Sequence, residues 1–376
     1  MSKKIFIFVP SFESGGVERN AVIVANSMLE EGCDVSVVYC RKIDAQFLKL
    51  KSKVEKIKLN RISFLPFVHE RIIDAVSSIL FGFFILRRVV DKKSIIISFQ
   101  SNVIAIILSK LLNIKVIVRL SNHYSNIEHE QSKLRKISEY LKKVFNKKAD
   151  VVIANSQELA DDYSKVLGCE VKTIYNPIDF KVIQKKSKET VVEELFIKKS
   201  KPIVLAIGRL SVQKNFDFLI KSFVKSLKNI DASLVIIGEG SQRYKLEKLI
   251  RKLKMEENVF LFGHKNNIFP YLVKSDLFVL SSLYEGMPNV LIEAIASKVP
   301  SISTNIKTGP KEILLDGDGG ILVKLNDMNE MSEAIEYSLL HQQDSNNKMK
   351  NAHIKLDRFS MDETINRYRK IIGELE

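Results

Sequence analysis

Three observations predict an α/β protein built from two Rossmann-like, doubly wound parallel-sheet domains. Short β-branched runs alternate with helical patterns along the chain, which calls for parallel strands joined by crossover helices. The alternation lapses once, in the charged and core-poor stretch "FKVIQKKSKETVVEELFIKKSK" after "YNPID", and then restarts. Glycines sit in the loops where strands give way to helices, the end at which open α/β sheets bind ligands. A chain of 376 residues exceeds one ordinary core, so the expected division is 1–178, a linker 179–200, and 201–376. The two domains are expected to face each other across a cleft. The helical pattern at 361–376, with Ile365, Tyr368, Ile371 and Ile372 on one side, is expected to pack back on the first domain.

The first half opens with "MSKKIFIFVPSF". Its apolar run is short and lacks a small-residue cleavage site, so it reads as strand Ile5–Pro10 and not as a leader. Gly15 and Gly16 follow, ahead of a helix carrying Val17, Ala21, Val24 and Met28. Paired glycines let backbone approach a ligand closely, and a helix N-terminus favours an anion. The loop is neither G-x-G-x-x-G nor a Walker A sequence, and a glycine turn needed for packing alone is the competing reading. Further strands are read at Val35–Cys40, Ser94–Phe99, Lys115–Leu120, Asp150–Asn155 and Val171–Tyr175. The apolar window Ala75–Leu86 is shorter than the ~20 residues of a spanning helix. His123 follows a strand end, beside Arg119 and Asn122. The segment Lys133–Lys148 places Leu134, Ile137, Leu141, Val144 and Phe145 on one helical face and lysines on the other. That pattern suits either an anionic membrane surface or packing on the sheet with the charges in water.

In the second half, strands are read at Ile203–Leu210, Ser233–Gly238, Val259–Phe262, Leu277–Ser281, Ser301–Thr304 and Ile321–Val323. After the first comes "GRLSVQKNFD", with Gly208, Arg209 and Lys214 in one strand-to-helix loop; a guanidinium and an ammonium delivered together suit a diphosphate. Gly238 and Gly240 stand at the next strand end, in "IIGEGSQ". In "LYEGMPNVLIEAIA", Pro288 suits a first helical turn, so the N–H groups of Asn289 and Val290 can face a phosphate. Glu293, one turn later, can accept from a polyol such as ribose, and Glu285 would face whatever lies beyond the phosphate. A helix-surface charge and a loop carboxylate are the plainer readings of the two glutamates. "DGD" at Asp316–Asp318 runs into two glycines and reads as a turn, and no H-E-x-x-H pair is present, so no metal is expected.

Taken in order, "GGVER", "GRLSVQKN", "GEG" and the carboxylate pair of "EGMPNVLIEA" resemble glycosyltransferase family 4, retaining enzymes of the GT-B fold. The likeness extends through "ANSQELADDY", "YNPID" and "GPKEIL" to nearly the whole chain. The resemblance implies a nucleotide-sugar donor held mainly by the second domain and an acceptor held by the first, with no further cofactor. It implies that Arg209 and Lys214 stabilise the departing diphosphate, with Gly208 and Gly238 in the donor loops. Glu293 would bind the ribose, and Glu285 would contact the donor sugar near the reacting carbon. Gly15 and Gly16 would close over the phosphates, and His123 would stand beside the sugar. Many relatives carry another glycine between the two glutamates, where this chain reads "EGMPNVLIE". "TGPKEIL" is similar to members that use UDP-linked galactose-type or N-acetylhexosamine donors.

The net charge of +15 favours an anionic partner, and no aromatic-interleaved RNA-binding signature accompanies it, so nucleic acid is not the expected partner. The expected acceptor is a saccharide on a polyprenyl diphosphate lipid, as in bacterial surface polysaccharide or O-antigen assembly. Cys33, Cys40 and Cys169 form no C-x-x-C pair and fit a reducing compartment, hence an expected cytoplasmic protein. Peripheral contact with the anionic inner face of the plasma membrane is the expectation if the basic helix Lys133–Lys148 meets lipid, and a well-solvated basic surface is the competing reading. A nucleotide-sugar epimerase or hydrolase of the same fold is the alternative enzyme, and a basic nucleic-acid-binding protein the alternative outside catalysis.

Overall fold

The computed structural model describes residues 3–11, 16–40, 47–60, 70–121 and 133–375. The chain divides into two compact units. Unit 1 comprises Met1–Pro177 with Met361–Glu376, and unit 2 comprises Ile178–Ser360.

Unit 1 runs β1 (Lys4–Phe8), α1 (Gly16–Glu30), β2 (Asp34–Tyr39), β3 (Glu55–Lys58), α2 (Glu70–Leu86), β4 (Ile95–Ser98), α3 (Asn102–Leu112), β5 (Lys115–Leu120), α4 (Lys133–Asn146), β6 (Val151–Ala154), α5 (Gln157–Leu167) and β7 (Val171–Thr173). Its seven strands lie in the order β3-β2-β1-β4-β5-β6-β7, all parallel. A parallel sheet is covered on both faces, and β1 and β4 accordingly read as continuous apolar runs. Ile5, Ile7 and Val37 point into a core with Ala21, Val24 and Met28 of α1, while Phe6, Phe8 and Val38 point into another with Leu108 and Leu159. The edge strand β3 was not read from the sequence. It is four residues long and buries only Ile57 among charged neighbours, so it carries no apolar run to recognise.

Unit 2 runs α6 (Phe180–Lys186), α7 (Glu194–Lys198), β8 (Ile203–Ile207), α8 (Phe216–Ser226), β9 (Ser233–Ile237), α9 (Arg243–Leu253), β10 (Val259–Gly263), α10 (Phe269–Lys274), β11 (Leu277–Leu280), α11 (Asn289–Ala296), β12 (Ser301–Thr304), α12 (Pro310–Ile313), β13 (Ile321–Val323), α13 (Met328–Leu340) and α14 (Gln342–Ile354). Its parallel sheet has the order β10-β9-β8-β11-β12-β13. Phe216, Leu219 and Phe223 of α8 and Met331 and Ile335 of α13 cover one face.

The segment expected as a linker is instead folded into unit 2. Asp179 caps α6 by accepting from Val182 N at 3.0 Å. Phe196 of α7 is buried edge-on against Tyr271, with ring centroids 5.2 Å apart. The Glu193 carboxylate accepts from Lys265 and, at 2.7 Å, from the Tyr271 hydroxyl. Burial pushes that carboxyl up, but the two hydrogen bonds outweigh it and hold the group below its usual range. The stretch looked core-poor because its apolar residues are scattered among lysines, while Phe196 finds its ring partners Phe262 and Tyr271, and Glu193 its donors 72 and 78 residues further on, in the folded unit.

The last helix, α15 (Met361–Glu374), belongs to unit 1. Ile365, Tyr368, Ile371 and Ile372 enter the core that holds Ile5 and Ile7, each contributing on the order of 1.5–3 kcal/mol of burial. Lys3 Nζ donates to Ile372 O at 2.7 Å, and Lys172 pairs with Glu374 at 2.5 Å.

Candidate functional site

In unit 2 the strand order reverses between β8 and β11, so the loops leaving these two neighbours diverge to opposite sides of the sheet and open a crevice at their carboxyl ends. The residues singled out in the sequence stand on those loops. β8 delivers Gly208 and Arg209, then a short 3₁₀ turn, Val212–Lys214. β11 delivers Ser281, Ser282 and Glu285, then α11 with Asn289, Val290 and Glu293.

Backbone contacts hold the β8 and β9 loops together. Gly208 N donates to Ile237 O at 3.0 Å and Leu210 N to Glu239 O at 2.8 Å. Gly238 has φ +149, and a Cβ there would lie 1.9 Å from Gly208 O, so no other residue fits. The aliphatic stem of Lys214 lies close over Gly208, and a Cβ there would meet Lys214 Cε at 2.9 Å.

The β8 and β11 loops meet through a charge pair. Lys214 Nζ donates to Glu285 Oε1 at 2.5 Å, with the two side chains only 16% and 12% exposed. Ser282 Oγ donates to the same oxygen at 2.7 Å, and Gln213 Nε2 reaches Oε2 at 3.4 Å. Gln213 Nε2 also donates to Tyr284 O at 2.8 Å, and Ser281 Oγ to Lys214 O at 2.8 Å. Glu285 is therefore no loose loop carboxylate. Its Oε1 is committed to two donors, whereas Oε2 has one long contact and can accept from a hydroxyl.

A third loop supports the second. Thr308 Oγ1 donates to Glu285 O at 2.5 Å, and Thr304 Oγ1 to Ser282 O at 2.7 Å. Gly309, at φ +93, lies against Gly286 and Pro288, where a Cβ would be 2.7 Å from Pro288 Cδ. Gln213, Ser282, Thr304 and Thr308 were not selected from the sequence. Small polar residues at strand ends look like turn residues until their partners are known, and the signals were the places of Gln213 within "GRLSVQKN" and of Thr308 within "TGPKEIL".

Pro288 is the N-cap of α11 and Asn289 its first residue, one position later than the sequence reading placed the helix start. Leu291 N already donates to Pro288 O at 3.0 Å, so the first turn closes early. Glu293 is 3% exposed, which removes the reading of a helix-surface charge. Arg209 is exposed, and among the described residues its guanidinium has no hydrogen-bond or ion-pair partner. An exposed guanidinium on the same loop as Lys214, whose ammonium pairs with Glu285 just ahead of α11, is a set of groups that a diphosphate would complete.

The remaining sequence candidates lie in unit 1. Gly16 opens α1 with nothing within 4 Å of the place a Cβ would take. Packing within the described residues therefore does not account for it. Gly15, Asn122 and His123 lie outside the described residues. Arg119, read as a companion of His123, is 3% exposed. Its guanidinium donates to Asn176 and, at 3.2 Å, to Ser121 Oγ, and it sits 5.3 Å from the Phe99 ring. It ties β5 to the "YNPID" segment from inside the unit.

Among the described residues no cluster of three or more His, Cys, Asp or Glu side chains could hold a metal ion. Asp316 of the "DGD" turn pairs with Lys311 at 3.0 Å. A cavity of unit 2 lined by Phe180, Ile183, Val273, Ser297, His353 and Leu356 lies at the other end of α11 and contains none of the candidates.

Comparison with known proteins bears on both units. Residues 14–182 match the model "Glycosyltransferase Family 4", and residues 187–356 match "Glycosyl transferases group 1". The N-acetylgalactosamine-N,N'-diacetylbacillosaminyl-diphospho-undecaprenol 4-alpha-N-acetylgalactosaminyltransferase of Campylobacter jejuni is 34% identical over 209 residues. That alignment takes in 54% of this chain and 54% of the relative, about half the length of each. A second protein of the same organism, the GalNAc-alpha-(1->4)-GalNAc-alpha-(1->3)-diNAcBac-PP-undecaprenol alpha-1,4-N-acetyl-D-galactosaminyltransferase, is 26% identical over 99% of both chains. Among solved structures, Anabaena Alr3699/HepE in complex with UDP superposes with a TM-score of 0.77 at 18% identity, covering 99% of this chain and 100% of that one. The shared fold is GT-B.

Proposed function

The chain belongs to glycosyltransferase family 4, and from that membership and the geometry of unit 2 we infer a retaining transfer of a hexosyl or N-acetylhexosaminyl group from a UDP-sugar. The acceptor in this reading is a saccharide carried on a polyprenyl diphosphate lipid, in the assembly of a bacterial surface polysaccharide such as O-antigen. The observation that carries it is the Lys214–Glu285 pair at the reversal of strand order, with Arg209, which has no partner among the described residues, on the same loop as Lys214. The names of the two Campylobacter relatives support a diphospho-undecaprenol acceptor, and the UDP complex of the Anabaena protein supports a uridine donor.

In the reaction the bond from the anomeric carbon to the diphosphate oxygen breaks, a bond from the acceptor hydroxyl forms on the same face of the sugar, and the hydroxyl's proton passes to the departing diphosphate. Negative charge grows on the departing diphosphate while positive charge grows on the sugar ring. Arg209 and Lys214 answer the first, with the amide end of α11 (Asn289, Val290) alongside, and no metal is needed. Glu285 answers the second, its less committed Oε2 accepting from a sugar hydroxyl and its charge held in place by Lys214 and Ser282. Glu293 accepts from the ribose hydroxyls. Gly208 and Gly238 keep the donor loops close together. The family resemblance assigns Gly15, Gly16 and His123 to the same reaction from unit 1, which binds the acceptor. Cys33, Cys40 and Cys169 are all free, in keeping with a cytoplasmic site of action.

The test is to incubate the purified protein with individual UDP-hexoses and UDP-N-acetylhexosamines and a polyprenyl diphosphate saccharide. Products are read by mass spectrometry and the anomeric configuration by NMR. An α-linked product from an α-linked donor is expected. Donor turnover that is equally fast without acceptor would favour an epimerase or hydrolase instead.

A further inference from the structure

Helix α2 is built inside out. Among its described side chains, those it buries are Ile73, Asp74, Ser77, Ser78, Gly82 and Leu86, of which four are polar or lack a side chain. Those it presents to solvent are Val76, Leu80 and Phe84, four residues apart along one stripe and 42%, 46% and 54% exposed. Ile79, Phe81, Phe83 and Ile85 flank the stripe half-buried. Ordinary amphipathic packing puts the apolar stripe inside and the serines out. The small buried face has a local reason, since a Cβ at Gly82 would come within 3.0 Å of Leu108 of α3, so the two helices approach closely. Nothing in that packing requires leucine and phenylalanine on the other side.

Neighbouring helices also expose apolar side chains. α3 packs beside α2, and α4 beside α3. α3 exposes Leu111, and α4 exposes Tyr140 and Leu141. Leu141 and Phe145 had been expected on one face of α4 that either meets a membrane or packs on the sheet; Phe145 packs against the core, whereas Leu141 is 45% exposed. Exposed apolar side chains grouped on packed helices mark an interaction site.

Its border is basic. Arg87, Arg88, Lys110, Lys142, Lys147 and Lys148 are all exposed beside these helices. Arg87 lies over the Phe83 ring at 5.6 Å and Lys148 over the Phe145 ring at 5.5 Å, charged heads on aromatic flanks. Between the buried Asp74 and Glu128 the sequence contains a single acid, Asp91, and that carboxylate already accepts from Lys93 N and Ser94 Oγ. Glu139 stands in α4, and Asp150 beyond it lies 3.9 Å from Lys110, so the excess of cations is greatest around α2, where Arg87 and Arg88 follow the stripe. Apolar side chains flanked by such an excess of cations complement an interface that is hydrocarbon just beneath an anionic layer.

We propose that the exposed face of α2, with Leu111 of α3 and the C-terminal half of α4, docks the protein on an anionic phospholipid surface. No helix among the described residues is long and apolar enough to cross a membrane, so attachment is peripheral. The proposal stands on this face alone and not on the transferase reading, although a lipid-linked acceptor would be reached from such a surface.

Flotation of the full chain with vesicles tests it, in the absence of nucleotide and acceptor. Vesicles of phosphatidylglycerol and phosphatidylcholine are expected to carry the protein, and pure phosphatidylcholine to carry at least tenfold less. The Leu80→Gln/Phe84→Gln variant should lose at least tenfold in binding to anionic vesicles. Arg87→Gln/Arg88→Gln should lose about tenfold or more, each basic residue near the surface contributing roughly fivefold. All four residues are exposed, so circular dichroism and UDP binding by calorimetry should match the wild type. That match separates failure of the docking face from failure of the donor site. Unchanged vesicle binding in the Leu80/Phe84 variant, or no binding by the wild type, overturns the proposal. So does a wild-type dimer in sedimentation velocity that the same variant dissociates, for the face would then be a contact between two copies of this chain.

Discussion

Replacing Lys214 with Met should destabilise unit 2 and abolish its response to UDP. The ammonium makes one short charge-assisted bond, 2.5 Å to Glu285 Oε1, in a pair whose side chains are 16% and 12% exposed. A hydrogen bond to a charged partner contributes ~1.5–3 kcal/mol. Residual solvent access lowers that figure, so the expected loss is about 2 kcal/mol, because the half-buried Glu285 loses its counter-ion. For a unit the size of Ile178–Ser360, each kcal/mol shifts Tm by about 2–4 °C, which gives a fall of about 4–8 °C. Glu285→Gln should cost less, about 1 kcal/mol, since an amide oxygen still accepts from Lys214 and Ser282. The double variant should be less destabilised than the sum of the singles by about 1 kcal/mol, the signature of direct coupling. Scanning calorimetry is the suitable assay, as the chain has no tryptophan for fluorescence. Saturating UDP, at about 100 times its Kd, should raise the unit 2 transition by the equivalent of ~2.7 kcal/mol in the wild type and in Glu285→Gln. It should do little in Lys214→Met. If Lys214→Met melts with the wild type, or if Glu285→Gln loses the UDP shift while Lys214→Met keeps it, the pair does not work as argued.

Other substitutions and conditions separate the remaining roles. Arg209→Ala should lower kcat by ~10²–10³-fold with little change in Tm, because the guanidinium is exposed and makes no contact among the described residues that folding would lose; steady-state kinetics beside calorimetry would show it. Glu293→Gln should raise the donor KM and the UDP Kd together, whereas Glu285→Gln should lower kcat and spare UDP affinity, a split readable from kinetics and titration calorimetry. Turnover should survive EDTA, and restoration by Mg²⁺ after a loss would return attention to Asp316 and Asp318. Tyr271→Phe should cost about 1 kcal/mol near neutral pH by removing a hydrogen bond to the Glu193 carboxylate. The Glu193 carboxyl is held below its usual range, so its contribution is present above the unfolded pKa and is lost as pH falls through the folded one. Urea titrations should therefore show the wild type and Tyr271→Phe converging below about pH 4.

The sequence alone determined the number of domains, their class and the strand ends on which the candidate site stands. Apolar periodicity is a local record of burial, and β8, β9 and β11 each write it within five residues. Gly208, Arg209, Lys214, Glu285 and Glu293 were legible for the same reason: strand, loop residue and helix lie together in the chain. The ends of unit 2 were not legible locally. Phe196 and Glu193 find Tyr271 and Lys265 only after the chain has folded, so a charged stretch that reads as a linker is part of a core. The four residues of β3 gave too little pattern to be read.

What only the tertiary structure decided is which groups meet and which face outward. That Lys214 holds Glu285, with Ser282, Gln213 and Thr308 around it, follows from the pairing of β8 with β11 and β11 with β12, contacts between residues far apart in sequence. The sequence offered two cations and two carboxylates for a diphosphate sugar. The fold joins one cation to one carboxylate, buries the second carboxylate and leaves Arg209 unpartnered among the described residues. The apolar window of α2 likewise announced a helix but not its orientation. Close approach to α3 selects the serines and Gly82 for the interior, and the leucine and phenylalanine are left for something outside the unit. Periodicity tells how a helix can be divided into two faces, and only its packing partner decides which of them is buried.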